Sequence, residues 1–378
     1  MTRVMTVVGT RPEIIRLSRV ISRLDSTLDH VLVHTGQNWD PMLSDIFFTE
    51  LELRQPDRFL GVDTSSLGKT LGGVLAGVEE AINDYRPDAL LVLGDTNSCI
   101  AALMGRRMKV PVYHMEAGNR CFDLNVPEET NRRMVDHVSD FNLVYTEHAR
   151  RNLLAEGLPP RRIMHTGSPM REVLDHYSPK IEASRILACM SLEPSGYFLA
   201  SAHRAETVDS RDRLGRLLEC LRAVRDRWGL PVLVSTHPRT RKRLEDQVED
   251  LGALDRIVFH DPFGFFDYVH LQMRAKCTLS DSGTISEEAA IAGFPAVTLR
   301  DSIERPEALD QGSIIMTGLD ANLCVEAVEV VTGSRASNTC PADYLAEDSS
   351  ARVVNFILST VRRHHEWANI RTAQEYAN

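Results

Sequence analysis

The sequence lacks the features of several broad classes of protein. No apolar run approaches the roughly 20 residues of a membrane-spanning helix, so we predict no association with a membrane. The segment Met1–Gly9 has one basic and too few apolar side chains for a signal peptide, and we therefore expect a cytoplasmic protein. The seven cysteines never form a Cys-x-x-Cys pair, which argues against a disulfide scaffold or a zinc site and predicts reduced, mostly buried thiols. An excess of positive charge is also missing, and the net charge of −10 disfavours a nucleic-acid partner.

What remains is the pattern of a two-domain α/β protein. At 378 residues the chain exceeds the size at which one hydrophobic core keeps growing. Near-continuous apolar runs of strand length alternate with helical stretches, which is typical of a parallel sheet covered on both faces. In the first half we predict strands at Val4–Gly9, Val31–Thr35, Ala89–Gly94, Val112–Glu116 and Phe141–Thr146, and helices at Glu13–Leu24, Leu67–Tyr85 and Asn97–Arg107.

The same alternation starts again after about residue 175. We therefore predict two Rossmann-like lobes, residues 1–175 and 176–350, with Tyr177–Lys180 as the crossover between them. A last amphipathic helix, roughly Ala351–Tyr376 in the segment 351–378, is expected to pack back on the N-terminal lobe. Ligands of such sheets bind outside the carboxyl ends of the strands, so the active site is expected in the cleft between the lobes. The predicted strands of the second half are Tyr197–Ala202, Val232–Thr236, Ile257–His260, Cys277–Asp281, Ala296–Leu299 and Ile314–Thr317.

The first strand-to-helix turn, Gly9–Glu13, has features of an anion site. Its glycine permits a tight turn, and Pro12 suits the first helical position, where its missing N–H group costs nothing. Arg11 and Arg16 flank a helix N-terminus that already favours anions. Two arginines at a strand–turn–helix are also common, so phosphate contact and an ordinary turn both stay open on these residues alone.

Three carboxylates are predicted at the same edge of the first sheet. Asp95 in the G-D-T turn ends a strand and is either the N-cap of the next helix or a functional group. Glu116 in H-M-E-A-G ends the following strand, where a glutamate is a poor cap and costly to bury. Glu128 lies in the first turn of a helix opened by Pro127, although its spacing from Arg132 also fits an ordinary ion pair. Crowded carboxylates raise one another's pKa, which is how proteins prepare general acids and bases.

The second half carries a histidine and a glycine turn at comparable places. His203 follows an apolar strand and precedes an arginine, which favours a ligand or acid/base group over a structural histidine. The turn Ser282-Gly283-Thr284 opens a helix and is expected to offer backbone N–H groups to a diphosphate. Glu288 is placed to reach a ribose diol, and Arg305 to approach from the next turn. Nucleotide-sugar binding is favoured over a generic helix start.

Taken in order, these motifs resemble those of the non-hydrolysing UDP-N-acetylglucosamine 2-epimerases. They run from Gly9 to about Asp320 and comprise G-T-R-P-E, H-T-G-Q with Gln37, G-D-T, H-M-E-A-G, P-E-E-x-N-R-R, H-R-x-E, D-S-G-x-I-x-E-E and E-R-P-E. The resemblance implies a glycosyltransferase-B-like fold, a homodimer, a role in bacterial polysaccharide synthesis, and epimerisation at carbon 2 without a metal or another cofactor. It also implies a catalytic set of Asp95, Glu116, Glu128 and His203, and a UDP- or substrate-binding set of Arg11, Arg16, Arg132, Tyr268, Ser282, Gly283, Thr284, Glu288 and Arg305.

The chemistry implied by the resemblance is elimination followed by re-addition. One base removes the proton at carbon 2 while UDP leaves carbon 1, which gives a 2-acetamidoglucal. An acid then protonates carbon 2 from the opposite face while UDP adds again. Two acid/base groups on opposite faces are needed, which explains several carboxylates in one site, although the sequence does not assign a face to each.

Three departures from the family pattern point to a second substrate. The segment Glu116–Glu128 is short, Asn38 replaces a histidine of the family's allosteric segment, and Gly167–Met170 replaces a G-N-x pattern. These features look like the branch that makes UDP-N-acetyl-L-fucosamine from a 6-deoxy-L-talo precursor, since a short apolar loop suits a sugar without a 6-hydroxyl group. Alternatives from other classes are a UDP-sugar glycosyltransferase of the same fold and a UDP-sugar sensor, neither of which needs the carboxylate–histidine set.

Overall fold

The computed structural model describes residues 1–37, 48–246, 254–333 and 339–370. Its contacts divide the chain into two compact units. Unit 1 comprises Met1–Arg120, Val126–Val173 and Ala346–Asn378, and unit 2 comprises Cys121–Asn125 and Leu174–Leu345. Asn38 and residues 371–376 of the predicted last helix lie outside the described residues. Among the helices that are described, none is long and apolar enough to cross a membrane.

Unit 1 is built on a seven-stranded parallel sheet with the strand order β3-β2-β1-β4-β5-β6-β7. All five residues of β4 are buried, as expected for a strand covered by helices on both faces. The chain builds outward from β1 through β2 and β3, and then returns to add β4 on the other side of β1. The strands are β1 (Arg3–Val8), β2 (Asp29–His34), β3 (Arg58–Phe59), β4 (Ala89–Leu93), β5 (Val112–Met115), β6 (Phe141–Val144) and β7 (Ile163–His165).

Unit 2 repeats this plan with a six-stranded parallel sheet of order β10-β9-β8-β11-β12-β13. Here β8 takes the place of β1, and β11 takes the place of β4. Each sheet therefore has a topological switch point beside its first strand, which is where α/β proteins bind nucleotides. The strands are β8 (Phe198–Ser201), β9 (Val232–Ser235), β10 (Ile257–His260), β11 (Thr278–Ser280), β12 (Ala296–Thr298) and β13 (Ile315–Met316).

The α-helices lie between the strands in both units. The helix Met170–Glu182 contains both the division between the units and the predicted crossover Tyr177–Lys180. In unit 1 the other helices are Arg11–Thr27, Leu67–Tyr85, Ala101–Arg107, Pro127–Val138, Glu147–Ala155, Ser349–Thr360 and His364–Trp367. In unit 2 they are Ile186–Cys189, Ala205–Val208, Arg211–Trp228, Pro238–Glu245, Phe265–Arg274, Ile285–Ala292, Glu307–Asp310 and Ala321–Gly333.

The structure confirms every strand that the sequence predicts and adds β3 and β7. β3 includes Arg58, and β7 includes His165 and follows two arginines, so neither lies in an apolar run of recognisable length. The cysteines agree with the prediction of reduced thiols, since all seven are free and four of them are buried.

The prediction of one continuous last helix is wrong. The helix Ser349–Thr360 ends in the 3₁₀ turn Val361–Arg363, and a short helix, His364–Trp367, follows. Helical spacing of apolar residues stops after Val361, so no apolar stripe remains to continue the helix. Within unit 1, the first of these helices packs on Arg11–Thr27.

Candidate active site

Three candidate residues of unit 1 lie just after neighbouring strands, at one edge of its sheet. The strands β1, β4 and β5 are neighbours, and the turns that follow them carry Arg11, Asp95 and Glu116. Because parallel strands point the same way, their carboxyl ends meet at the same edge. The switch point between β1 and β4 therefore brings the turns of Arg11 and Asp95 side by side.

Glu13 joins two of these turns. Its Oε2 atom accepts the N–H groups of Gly9 at 2.8 Å and Thr10 at 2.7 Å, and it also accepts the Thr10 hydroxyl at 2.9 Å. Its Oε1 atom accepts the hydroxyl of Thr96 at 3.0 Å and that of Ser98. Burial raises the pKa of Glu13, while the hydrogen bonds to its carboxylate oppose that rise. Motif reasoning placed Glu13 only at a helix start and missed this connection.

Gly9 allows the turns to approach each other closely. A Cβ atom at this position would overlap the hydroxyl oxygen of Thr35 and lie 2.9 Å from the Cβ of Ser98, so no other residue fits without a shift. Arg11 follows as the first residue of its helix and is exposed, and Pro12 occupies the second helical position rather than the first. The turn thus holds Arg11 at the helix N-terminus, where an anion is also favoured.

Glu116 is buried in a strained backbone conformation. Its φ angle of 64° is uncommon for a non-glycine residue, and its side chain is 5% exposed. The carboxylate forms an ion pair with Arg16, which lies inside the helix Arg11–Thr27. A Cβ atom on Gly94 would lie 3.9 Å from its Oε2 atom, so the carboxylate sits beside the turn that carries Asp95. Strain of this kind is concentrated at functional sites.

Asp95 is held by an arginine from the helix Pro127–Val138. The Nη2 and Nε atoms of Arg132 lie 2.6 Å and 3.0 Å from Asp95 Oδ2, and Asn131 donates to the Asp95 carbonyl oxygen at 2.9 Å. Thr96, not Asp95, occupies the N-cap position of the next helical turn, so the N-cap interpretation of Asp95 is wrong. The Asp95 side chain is 22% exposed and is therefore accessible.

The same helix carries Glu128 in its first turn, where Pro127 opens the helix as predicted. Glu128 is half-buried, and the arginine considered as its ion-pair partner, Arg132, pairs with Asp95 and Glu129. Glu129 is fully buried, and it was not among the predicted site residues. The contacts of Arg132 tie the helix of Glu128 to the turn of Asp95.

A buried hydrogen-bond network, which the sequence did not reveal, supports the Gly94 turn. The ring of His114 lies between the Asp136 carboxylate (Nδ1 to Oδ1, 2.9 Å) and the carbonyl oxygen of Gly94 (Nε2 to O, 2.8 Å). Arg120 donates to the other oxygen of Asp136 at 2.7 Å. All three side chains are fully buried, so the position of the Gly94 turn is fixed by groups that solvent does not reach.

In unit 2, Asp281 connects the two turns at the switch point. Asp281 directly follows β11 and is 1% exposed, and its carboxylate accepts the N–H groups of His203 (3.1 Å) and Arg204 (3.0 Å). The Nδ1 atom of His203 lies 3.3 Å from the same carboxylate, while half of the histidine side chain stays exposed. His203 is therefore anchored at its backbone and accessible at its ring.

The turn Ser282–Thr284 differs in one respect from the prediction. The N–H groups of Ser282 and Thr284 both donate to serine hydroxyls, at 3.0 Å and 3.3 Å, rather than standing open for a diphosphate. Short polar side chains at the turn satisfy backbone donors locally, as is common at helix starts. Further along, Glu288 accepts the hydroxyl of Thr284 at 2.6 Å and the amide of Gln272 at 2.8 Å, so its carboxylate is held in place.

Two further predicted binding residues complete unit 2. Arg305 is 4% exposed, donates through Nη1 to the carbonyl oxygen of Gly283, and lies 3.9 Å from Glu287 through Nε. Tyr268 is half-buried and packs against an apolar cluster that includes Tyr197. The structure thus gathers Arg305 and the glycine turn into one region of unit 2.

The two regions are suited to different tasks. Unit 1 holds two carboxylates, Asp95 and Glu116, each paired with a buried arginine, and such groups suit proton transfer. Unit 2 surrounds a glycine turn with hydroxyls, a carboxylate and arginines, which suits a hydroxylated, anionic ligand. Within the described ranges, no group of three or more His, Cys, Asp or Glu side chains is placed to hold a metal ion.

Known proteins share both the sequence and the fold of this chain. The family model for UDP-N-acetylglucosamine 2-epimerase matches residues 22–358. A solved UDP-N-acetylglucosamine 2-epimerase from Rickettsia bellii is 46% identical, with 97% of this chain and 98% of that chain covered and a TM-score of 0.90. The enzyme from Methanocaldococcus jannaschii, solved in complex with UDP-GlcNAc and UDP, is 33% identical, with 95% and 100% covered and a TM-score of 0.90.

A third relative has a different sugar in its name. The UDP-2,3-diacetamido-2,3-dideoxy-D-glucuronate 2-epimerase of Pseudomonas aeruginosa is 32% identical over 94% of this chain and 99% of its own length. The solved structures also confirm the predicted glycosyltransferase-B-like class of two Rossmann-like sheets. The extent of these matches shows that the chain belongs to the UDP-N-acetylglucosamine 2-epimerase family of carbohydrate epimerases.

Proposed function

We propose that this protein is a non-hydrolysing 2-epimerase that interconverts UDP-N-acetylglucosamine and UDP-N-acetylmannosamine. The observation that carries the proposal is the pair of arginine-bound carboxylates, Asp95 and Glu116, beside the switch point of unit 1. A protein that only binds UDP-sugars needs the turn of unit 2 but no such pair. A glycosyltransferase needs an acceptor site and no exchange of the proton at carbon 2.

The proposed reaction balances without an added oxidant or reductant. A carboxylate takes the proton from carbon 2, the C–H electrons form the C1–C2 double bond, and the bond from carbon 1 to the UDP oxygen breaks. In the second half, UDP attacks carbon 1 and an acid delivers a proton to the opposite face of carbon 2. Loss of UDP must assist the first step, because the proton at carbon 2 is only weakly acidic.

The proposed roles follow from where each group is held. Asp95, Glu116, Glu128 and His203 act as the acid/base set. Asp95 and His203 keep exposed surface, so both are accessible to a sugar. Arg16 and Arg132 supply positive charge beside Glu116 and Asp95, and Arg11 lies exposed at the N-terminus of its helix. A cation already in position stabilises charge that develops on departing UDP.

In unit 2, the proposed role is to bind UDP. Ser282 and Thr284 receive the diphosphate through their hydroxyls, which bond each other at 3.0 Å between Ser282 Oγ and Thr284 Oγ1, and Gly283 lets the ligand approach the backbone of the turn. Glu288 holds the ribose diol, because a carboxylate accepts two hydroxyl groups at once. Tyr268 and Arg305 complete this set, and the whole protein acts as a homodimer without a metal or nicotinamide.

The segment Glu116–Glu128 favours a second candidate substrate. It is short, and two of its apolar side chains, Phe122 (72%) and Leu124 (80%), are strongly exposed. If this segment covers the sugar, it suits a 6-deoxy sugar, and the activity becomes that of a UDP-N-acetyl-L-fucosamine synthase acting on the 6-deoxy-L-talo precursor.

Proton NMR in D₂O tests both candidates. The purified protein is incubated with UDP-N-acetylglucosamine and, separately, with UDP-2-acetamido-2,6-dideoxy-L-talose. We expect deuterium at carbon 2 and a second epimer with no net release of UDP, and the faster substrate identifies the natural one. Saturable UDP binding without exchange in either sugar would contradict an epimerase and favour a sensor or transferase.

A further inference from the structure

Arg300 is a buried arginine of unit 2 that no sequence motif singled out. It comes two residues after β12, at the carboxyl edge of the sheet, and is 4% exposed. Its Nη1 atom forms an ion pair with Glu304. The other oxygen of Glu304 lies 3.3 Å from the Nη2 atom of Arg204, so one carboxylate serves two arginines.

The second terminal nitrogen of Arg300, Nη2, is not used in these contacts. Its Nη2 atom is buried and has no hydrogen-bond partner among the described residues. A buried donor of a charged group that stays unpaired is costly, and native structures rarely keep one without a reason. No side chain of the described residues supplies an acceptor for Nη2. A ligand that supplies one would remove this cost.

The guanidinium group of Arg300 lies directly against the glycine turn. A Cβ atom on Gly283 would be 3.2 Å from Arg300 Nη1 and would overlap Glu304 Oε1. The absence of a side chain at position 283 is thus what lets the pair approach the backbone. Arg305 reaches the same glycine from its carbonyl side.

We propose that Arg300 is a further substrate-binding residue whose Nη2 atom donates to a diphosphate oxygen of the bound UDP-sugar. This inference rests on the proposed function, since it takes the glycine turn as the UDP site. Arginine suits the task better than lysine, because its planar fork lets one nitrogen stay on Glu304 while the other reaches the ligand. Glu304 is then a positioning residue that fixes the fork.

Calorimetric titration with UDP and with uridine tests the proposal. Uridine has the base and ribose but no phosphate, so the two ligands separate a phosphate contact from a general loss of structure. For R300Q we expect UDP to bind roughly ten- to a hundredfold more weakly, which is the usual value of a hydrogen bond between charged groups. Uridine should bind within about twofold of the wild-type affinity.

Two further variants keep the test sharp. R300Q leaves Glu304 buried without one of its cations, so the double variant R300Q/E304Q is measured as well and should show the same selective loss for UDP. R227Q is the matched control, because Arg227 forms a surface ion pair with Glu329 (2.8 Å), also in unit 2. It should bind both ligands as the wild type does.

The outcomes separate this inference from the proposed function. If the wild type binds UDP and R300Q binds it equally well, the role of Arg300 is wrong and the epimerase proposal stands. If R300Q loses UDP and uridine to the same degree, Arg300 is structural and the inference also fails. A wild-type protein that does not bind UDP overturns the proposed function and this inference together.

Discussion

Replacement of Glu13 should test whether one buried carboxylate holds the turns of Arg11 and Asp95 together. In Glu13→Ala, the N–H groups of Gly9 and Thr10 lose the acceptor that lies 2.8 Å and 2.7 Å away. The hydroxyls of Thr96 and Ser98 lose less stabilisation, because they still form a hydrogen bond with each other at 2.7 Å. At about 1–3 kcal/mol for each unsatisfied donor, we expect a loss of roughly 2–6 kcal/mol of stability.

Glu13→Gln should behave differently, because the amide oxygen replaces Oε2 and its NH₂ group donates to the two hydroxyls. Burial raises the pKa of Glu13, so its contribution to stability is fully present below the ordinary glutamate pKa of 4.5 and is lost as the pH rises through the raised pKa. The glutamine does not titrate. The free energy of unfolding of Glu13→Gln should therefore lie within about 1 kcal/mol of the wild-type value at pH 4.5. As the pH increases, the variant should become more stable relative to the wild type.

Thermal unfolding followed by circular dichroism between pH 4 and pH 9 gives the comparison. For a unit of this size, about 1 kcal/mol moves the melting temperature by about 2–4 °C, so Glu13→Ala should lower it by at least about 4 °C. Glu79→Ala, an exposed position in the helix Leu67–Tyr85, is the control and should change little. An unchanged melting temperature in Glu13→Ala would refute the reasoning about the turns. If the melting temperature of Glu13→Gln falls relative to that of the wild type as the pH rises, the pKa of Glu13 is not raised.

Three further predictions concern single positions. Asp95→Asn should reduce exchange at carbon 2, measured by NMR in D₂O, by at least about a hundredfold, while calorimetry should show UDP binding within a few-fold of wild type. Gly283→Ala should weaken UDP binding at least tenfold by the same calorimetry, because its Cβ atom would overlap Glu304 Oε1; normal affinity would contradict a close fit there. Burial lowers the pKa of His34 to about 4, so roughly 3 kcal/mol of stability should be lost as the pH falls from 6.5 to 4. His34→Asn keeps an acceptor for the Gly36 N–H group (3.0 Å) without titrating, so its melting temperature should depend less on pH in that window.

The fold was predictable because buried parallel strands leave a strong trace in sequence. β4 is apolar at all five positions, and β8 and β9 show nearly the same pattern. Strands covered on both faces need no polar face, so their runs stand out from the helices between them. The prediction of the last helix was wrong because helix length leaves a weaker trace in the sequence. The end of this helix depends on where its apolar stripe stops contacting the helix Arg11–Thr27.

The polar residues of the turns were visible for a related reason. A carboxylate such as Glu116, directly after a buried strand, has no ordinary structural task, and so it stands out. Its pairing with Arg16 was not visible, because Arg16 lies 100 positions earlier in the helix Arg11–Thr27, where the sequence suggested a phosphate contact and not a partner for Glu116. The same holds for Arg132, which the sequence paired with Glu128 and the structure pairs with Asp95 and Glu129. Spacing within one helix predicts only the partners that the helix itself supplies.

The two units show which kind of residue sequence motifs do not reveal. In unit 1, Glu13 follows β1, and its carboxylate binds the turn after β4; in unit 2, Asp281 follows β11, and its carboxylate binds the turn after β8. Each switch point is thus closed by one buried carboxylate that accepts backbone N–H groups from a turn beside it. A switch point separates two neighbouring strands, and nothing in the sheet itself fixes the turns beyond their ends. A buried acceptor supplies that link, and its cost in desolvation is met only when the donors are present. Both turns at each switch point should therefore lose their order together when the carboxylate is removed.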